Sequence, residues 1–244
     1  MIKRRAINPA ALPSIGQSLG GGFFAGRVFF DGAEHAVIDS GREFETVAQW
    51  WDQAGPRTTV RGASSFQDGY SNTLAMAEAG SAIARKVLSM TIRGQRDWHL
   101  PSIEQLQVMR ANLLQLPDWG RYFDADGAGG PAQAFTHMDY WSSTQNVAGS
   151  SWCLHVLPWR TPTTSWASKS KGIRPVRTLL ISQEAFVHVS ATDARVGKAD
   201  LRGLANQAAV ASVLERFVNE DAGKFYGRAD MLVSELAALA GGSA

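Results

Sequence analysis

The sequence predicts an α+β fold followed by a helical segment, and three patterns support this prediction. Aromatic and β-branched runs on both sides of Asp31-Gly32 predict a β-hairpin over residues 23–38. A strongly signalled helix begins at Ser102, and short β-like runs that carry tryptophan follow over residues 140–180. Beyond residue 182 the composition shifts to alanine, valine and leucine with mixed charge, which predicts amphipathic helices.

A first helix is predicted from Ser71 or Asn72 to about Met90, on a stretch of apolar and small residues. Gly80 lies inside this stretch and costs up to about 1 kcal/mol relative to alanine, so packing must hold the helix. The preceding Trp50-Trp51 pair is expected to cover one end of the core.

The helix that begins at Ser102 has a complete start signal. Ser102 is a suitable N-cap, and Gln105 can return a hydrogen bond to it, as in a capping box. Ile103 and Leu106 begin an apolar stripe at helical spacing, so this face is expected to lie on a core. Arg110 is expected to point outward.

The sequence favours neither a metal site nor an enzyme. Asp124-Ala125-Asp126-Gly127 resembles the start of a calcium loop, but the remaining ligands and the closing glutamate are absent, so a turn is the preferred interpretation. His35 has no second histidine at ligand spacing. We found no His-Glu-x-x-His motif, no phosphate loop and no nucleophile elbow, and we therefore expect no metal, no cofactor and no catalytic residues.

Charge and cysteine content narrow the classes of protein further. The 24 basic and 22 acidic side chains give a net charge of +2, which creates no strong field for nucleic acid or an anionic membrane. No apolar run is long enough to cross a bilayer, and the start of the chain lacks the apolar core of a signal peptide. Cys153 is the only cysteine, which excludes an intrachain disulfide. We expect a chain that folds in a cytosol.

Four stretches follow one another in a characteristic order. They are Trp98-His99-Leu100-Pro101-Ser102, Tyr140-Trp141-Ser142-Ser143-Thr144, Ser151-Trp152-Cys153-Leu154-His155-Val156 and Gly172-Ile173-Arg174-Pro175-Val176-Arg177. This order resembles the C-type-lectin-like domain family, which occurs at the C-terminus of bacterial collagen-like adhesins and in phage virion proteins. The resemblance covers residues 20–180 and implies a mixed, mainly antiparallel sheet with two helices.

The chain is expected to have three parts: an N-terminal arm over residues 1–19, a lectin-like domain over 20–182, and a helical segment over 183–244 for oligomerisation or docking, which lies outside the resemblance. The resemblance implies that tryptophans on late strands fill the space between the sheet and the helices. The predicted structural core is Trp98, Ile103, Leu106, Trp141 and Trp152. Arg174 or Arg177 in the closing strand is expected to pin a loop.

The chain departs from secreted lectins of this fold, which carry disulfides and calcium-dependent sugar motifs that are absent here. These departures suit a non-enzymatic phage virion protein that is assembled in the host cytoplasm, in the tail tip or fibre. The expected partners are other virion proteins, further copies of the chain through its C-terminal helices, and a host cell-surface glycan or protein. The alternatives are a capsid decoration protein without a host ligand, or a glycan-binding adhesin module outside a virion.

The predicted ligand site is the connection from Pro158 to Lys171. Its candidate residues are Trp159, Arg160, Trp166 and Lys169. Prolines on both sides of Trp159 favour an exposed loop. An aromatic plane flanked by cations suits a sugar ring or an acidic polysaccharide, although the same loop could bind a neighbouring virion protein.

Overall fold

The computed structural model describes residues 5–56, 58–122, 132–183, 185, 218–219 and 224–225, and it confirms the α+β class. In this described part the helices are α1 (Gly69–Ala79), α2 (Ala82–Leu88) and α3 (Ile103–Leu113). The strands are β1 (Ala6–Ile7), β2 (Ser18–Leu19), β3 (Gly22–Phe30), β4 (Ala33–Asp39), β5 (Thr46–Gln49), β6 (Arg121–Tyr122), β7 (Phe135–Thr136), β8 (Asp139–Val147), β9 (Ser150–His155), β10 (Thr163–Trp166), β11 (Ser170–Ile173), β12 (Val176–Ile181), β13 (Val218–Asn219) and β14 (Lys224–Phe225).

The first five-stranded sheet has the order β1-β12-β4-β3-β2 and contains the predicted hairpin. Phe30 at the end of β3 pairs with Ala33 at the start of β4. Asp31 and Gly32 between them have φ angles of 50° and 74°. Two successive positive φ angles form the hairpin turn that matches strand twist, and an Asp-Gly pair adopts it readily. The predicted hairpin is confirmed.

The second five-stranded sheet has the order β10-β9-β8-β11-β5. Its strands pair antiparallel except β8 and β11, which run parallel where Gly172 lies opposite Tyr140. A Cβ atom at Gly172 would lie 2.8 Å from the Tyr140 ring, so only glycine fits at this crossing. Both five-stranded sheets are therefore mainly antiparallel, as the resemblance implied, but the described residues form two such sheets where one was expected.

The single helix predicted from residue 71 or 72 to residue 90 is wrong, because Gly80 ends one helix and Ser81 begins the next. Gly80 has a φ of 117° at the C-cap of α1, a conformation that glycine adopts at least cost. The side chain of Ser81 then accepts a hydrogen bond from the amide of Ala84 and caps α2. The N-cap of α1 is Asp68, whose carboxylate accepts from the Ser71 amide at 3.1 Å. The described chain therefore has three helices where two were expected.

The capping box of α3 is confirmed. The Gln105 amide donates to Ser102 Oγ at 3.2 Å, and the Ser102 amide donates to Gln105 Oε1 at 2.8 Å. The apolar face of α3 packs on β3 in the first sheet and on β8 and β9 in the second. The core cluster there consists of Ala25, Val28, Phe30, Val37, Ile103, Leu106, Met109, Leu113, Trp119, Phe135, Tyr140, Leu154, Val156 and Val176.

The predicted core residues are not equally buried. Ile103 and Leu106 belong to the cluster on α3, and Trp98 and Trp141 are fully buried. Trp152 is only half-buried, with its ring packed against the outside of the cluster.

A buried arginine pins a loop, as the sequence predicted for Arg174 or Arg177. All five N–H groups of the Arg174 guanidinium donate, two of them to Asp39 and one to Glu45. The other two bind the backbone carbonyls of Gln133 and Ala134, at the end of the connection that leads into β7. Arg174 therefore ties the last residues of this connection to the end of β4 and to the residue before β5.

The chain divides into two units, residues 1–6 with 12–181 and residues 7–11 with 182–244. The described part of the second unit includes a 3-10 turn at Pro9–Ala11 and the antiparallel pair of β13 and β14. The helices predicted over residues 183–244 fall almost entirely outside the described residues, as does the Asp124–Gly127 turn. In the predicted N-terminal arm, β2 pairs with β3 through Ser18 and Phe23.

Candidate functional site

The connection between β9 and β10 presents Trp159 at the tip of a tight turn. The Arg160 amide donates to the Leu157 carbonyl at 3.0 Å, so residues 157–160 form a β-turn. Pro158 occupies the second position, where its fixed φ favours this turn type. The Trp159 side chain is 70% exposed, and Arg160 beside it is also exposed.

The prediction that Arg110 points outward is wrong, because this side chain reaches from α3 to hold the Trp159 turn. Its Nη1 donates to the carbonyls of His155 at 3.1 Å and Leu157 at 3.0 Å, and it also contacts the carbonyl of Arg160. Partial burial lowers the pKa of Arg110. The helix periodicity gave no sign of this role, since the three carbonyls lie 45 to 50 residues further along the chain.

Two histidines lie close to this turn. The rings of His137 and His155 meet edge to face, with centroids 4.9 Å apart. His155 Nδ1 accepts from the Leu157 amide at 3.1 Å, so the neutral ring carries its proton on Nε2. Burial lowers the pKa of His155, and Asp139 opposes this shift. At neutral pH the ring therefore offers an N–H donor, which suits an oxygen acceptor better than a metal ion.

The second turn of the predicted site lies at the other end of β10. The Lys169 amide donates to the Trp166 carbonyl at 2.9 Å, which closes a β-turn over residues 166–169. The Trp166 side chain is 49% exposed, and Lys169 is exposed as well. The Lys169 carbonyl accepts from the indole N–H of buried Trp141 at 3.1 Å, so this turn is anchored to the core.

The four predicted residues thus form two pairs and not one cluster. Trp159 and Arg160 share the first turn, while Trp166 and Lys169 share the second. The strand β10 lies between them and spans about 10 Å by itself. One continuous exposed loop had been predicted from Pro158 to Lys171, but its middle pairs with β9 through Thr163 and Trp166.

A groove of about 320 Å³ opens beside Trp166. The described residues that line it are Trp51, Gln53, Gly55, Pro56, Thr58, Gly149, Trp166, Ala167 and Ser168. The sequence interpretation missed Trp51, which was assigned to the core together with Trp50. Trp50 is buried, whereas Trp51 is half-buried. The sequence pattern around Trp51 gives no sign of this groove, because segments that are distant along the chain form it.

Trp159 and Trp166 are unusual among the eight tryptophans. Trp50, Trp98, Trp119 and Trp141 are buried, and Trp51 and Trp152 are half-buried. Only Trp159 and Trp166 expose more than a third of their surface. A folded chain gains by burying large aromatic side chains, so two exposed indoles on well-defined turns indicate a contact surface.

The described residues offer no cluster of metal ligands, and their one cysteine is buried. They contain no group of three or more histidine, cysteine, aspartate or glutamate side chains placed to hold a metal ion. Cys153 is buried, and desolvation raises its pKa to about 11, so its thiol is a poor nucleophile.

Residues 16–20 have the spacing Gly-x-Ser-x-Gly that is typical of a nucleophile elbow, and the sequence interpretation missed it. In the structure Ser18 lies in β2, at the edge of a sheet, and β3 follows directly. A nucleophile elbow requires a sharp turn from a strand into a helix, so this segment is not one.

None of the helices within the described ranges has the length and apolarity that a membrane span requires. The chain matches no protein-family profile, and no curated protein is significantly similar to it.

Proposed function

We propose that the chain is a non-enzymatic structural protein of a bacteriophage particle, located in the tail tip or fibre. Its C-type-lectin-like domain presents the two turns of β10 to a ligand on the host surface or on another virion protein. The observation that carries this proposal is the exposure of Trp159 and Trp166 at the two ends of one short strand. The other six tryptophans are buried or half-buried.

The first turn is suited to recognition because it is held in place before a ligand arrives. Arg110 fixes the backbone on both sides of Trp159, and Pro158 restricts the turn further. A ligand that stacks on the indole therefore orders little additional structure, which favours affinity. Arg160 beside the ring supplies a fixed positive charge that can pair with a carboxylate or phosphate.

The motif order supports the lectin-like part of the proposal. The Trp98 to Ser102 stretch leads into α3, and the Tyr140 to Thr144 and Ser151 to Val156 stretches form the paired strands β8 and β9. The Gly172 to Arg177 stretch contains the buried pin Arg174. Each stretch thus contributes to the packing of the domain. The turns of β10 lie outside these stretches, so their sequence can differ with the ligand.

Locating the chain in purified particles tests the proposal. Antibodies against the purified chain should label the tail end of intact particles in electron micrographs, and the chain should sediment with the particles. If the antibodies labelled only the capsid shell, the chain would be a capsid decoration protein and not a tail component. A chain that is absent from purified particles would overturn the virion assignment.

A double variant then tests the recognition surface. Trp159→Ala with Arg160→Ala should leave assembly normal and lower adsorption to host cells. The matched control is Phe29→Ala with Arg27→Ala on β3, which removes an aromatic ring that is 63% exposed and its neighbouring exposed arginine. If particles with Trp159→Ala and Arg160→Ala fail to assemble, the turn is a contact within the particle. If both variants adsorb normally, the turn is not a recognition surface.

A further inference from the structure

We infer that His155 acts as a pH-sensitive switch for the turn over residues 157–160, because the neutral ring holds this turn closed and the cationic ring does not. The inference concerns the order of the backbone on both sides of Trp159. It goes beyond the proposed function and does not depend on it. On the proposed function, the chain would bind its ligand more strongly at neutral than at acidic pH.

The ring of His155, the last residue of β9, holds the start of this turn. Its Nδ1 accepts a hydrogen bond from the Leu157 amide at 3.1 Å. The Leu157 carbonyl in turn accepts from the Arg160 amide at 3.0 Å, and this second bond closes the turn. The imidazole therefore fixes the residue on which the turn closes.

Only the neutral form of the ring can accept this hydrogen bond. One nitrogen of a neutral imidazole is an acceptor, whereas both nitrogens of the cation are donors. Protonation of His155 therefore places a ring N–H against the N–H of Leu157. Rotation of the ring does not restore the bond, because the cation has no acceptor atom. The cationic ring must move away, and the Leu157 amide then loses its partner.

The charged groups around the ring also disfavour a proton on it. The described titratable and charged side chains that face it are Arg110 on α3, His137 before β8, Asp139 and Tyr140 on β8, Arg160 in the turn and Lys171 on β11. Burial raises the pKa of Tyr140, so this side chain stays neutral. Of these groups, Asp139 attracts a positive charge on the ring, but its carboxylate already pairs with Lys171 at 2.6 Å.

The pKa of His155 in the closed and open turn sets the direction of the response. In the closed turn, burial lowers this pKa, Asp139 opposes the shift, and the nearby cations add to it. In an open turn the ring faces water, and its pKa returns towards the ordinary value of about 6.5. The open turn therefore binds more protons as the pH falls below about 6.5. The stabilisation of the closed turn is fully present above about pH 6.5 and is lost as the pH falls through the lower pKa.

NMR on the purified full-length chain between about pH 7.5 and about pH 4.5 tests the inference. Hydrogen exchange at the Leu157 and Arg160 amides, corrected for the intrinsic pH dependence of exchange, reports the opening of the turn. We expect opening to increase about two- to tenfold in acid, the range for one net hydrogen bond. Its midpoint should coincide with the titration of the His155 ring protons. The Leu106 amide, which donates to the Ser102 carbonyl at 3.0 Å, should keep its protection and shows that the domain stays folded.

Two variants identify the histidine that titrates. His155→Asn supplies a carboxamide oxygen that can accept from Leu157 throughout this pH range, so it should keep the turn closed and lose the response to acid. His137→Phe is the matched control, since it removes the neighbouring titratable ring but keeps an aromatic contact, and it should respond as the wild type does.

The inference fails if acid leaves the Leu157 exchange of the wild type unchanged, or if the midpoint of opening differs from that of the His155 ring. It also fails if His155→Asn responds as the wild type does, or if His137→Phe abolishes the response. Should His155→Asn not fold, the two midpoints of the wild type decide the question without it.

Discussion

Arg174 and Asp39 form a bidentate ion pair in which both side chains are completely buried. Nε and Nη2 of Arg174 donate to the two carboxylate oxygens of Asp39 at 2.9 and 2.8 Å. Burial opposes the charge on the guanidinium, but Asp39 and Glu45 outweigh it and raise the pKa of Arg174. The Phe135 ring, with its centroid 4.3 Å from the guanidinium carbon, adds a cation-π contact.

Removing this arginine should destabilise the domain strongly. Arg174→Met leaves the Asp39 carboxylate buried without its main partner, and we expect a loss of about 3–5 kcal/mol in the free energy of unfolding. Urea denaturation measures this loss. The control is Arg27→Met, whose partner Glu34 lies 3.1 Å away with both side chains about half exposed; its loss should be about 0–1 kcal/mol. Equal effects of the two substitutions would show that the buried pair does not hold the fold.

The pKa of Cys153 predicts a loss of stability at alkaline pH. Desolvation raises this pKa to about 11, whereas an unfolded cysteine has a pKa of about 8.5. Between these values the unfolded chain loses the thiol proton and the folded chain keeps it, so stability falls as pH rises through this window. Below about pH 8.5 the contribution is fully present.

The urea midpoint should therefore fall between about pH 8 and pH 10.5 by more in the wild type than in Cys153→Ala. Burial also raises the pKa of Tyr140, but this tyrosine is present in both proteins and cancels in the comparison. Parallel pH profiles of the two proteins would contradict the assigned pKa.

Arg110 should affect recognition through the position of the Trp159 turn. Arg110→Met keeps much of the apolar stem but removes the donors to three carbonyls. We expect the Arg160 amide to exchange its hydrogen faster and adsorption to fall, while the thermal midpoint changes less than in Arg174→Met. Lys86→Met on α2 is the control. Unchanged exchange at Arg160 would show that Arg110 does not order the turn.

Local signals in the sequence predicted the elements that depend on neighbours along the chain. The Asp31-Gly32 hairpin and the Ser102 capping box are set by a few adjacent residues, and both were predicted. Gly80 was expected to lie inside one helix and to weaken it. Its effect depends on whether the following Ser81 can begin a new helix, which the sequence interpretation did not consider. The local pattern permitted both outcomes, and in the structure Gly80 ends one helix in the left-handed conformation while Ser81 caps the next.

Contacts between distant segments were predicted poorly. Arg174 and Asp39 are 135 residues apart. The sequence therefore supported only the general expectation that an arginine holds a loop in place. The groove beside Trp166 joins segments near residues 51, 58, 149 and 167, so Trp51 could not be assigned to it without the sheet pairing. The exposed tryptophans themselves were found, because prolines and small polar residues flank them.

Inhibition of adsorption by the purified chain tests the central claim most directly. Host cells are preincubated with saturating wild-type chain, and the adsorption rate of particles that carry this chain is then measured. The recognition account predicts that wild-type chain slows adsorption, and that chain with Trp159→Ala and Arg160→Ala has little effect. An adsorption rate that saturating wild-type chain leaves unchanged would contradict the account.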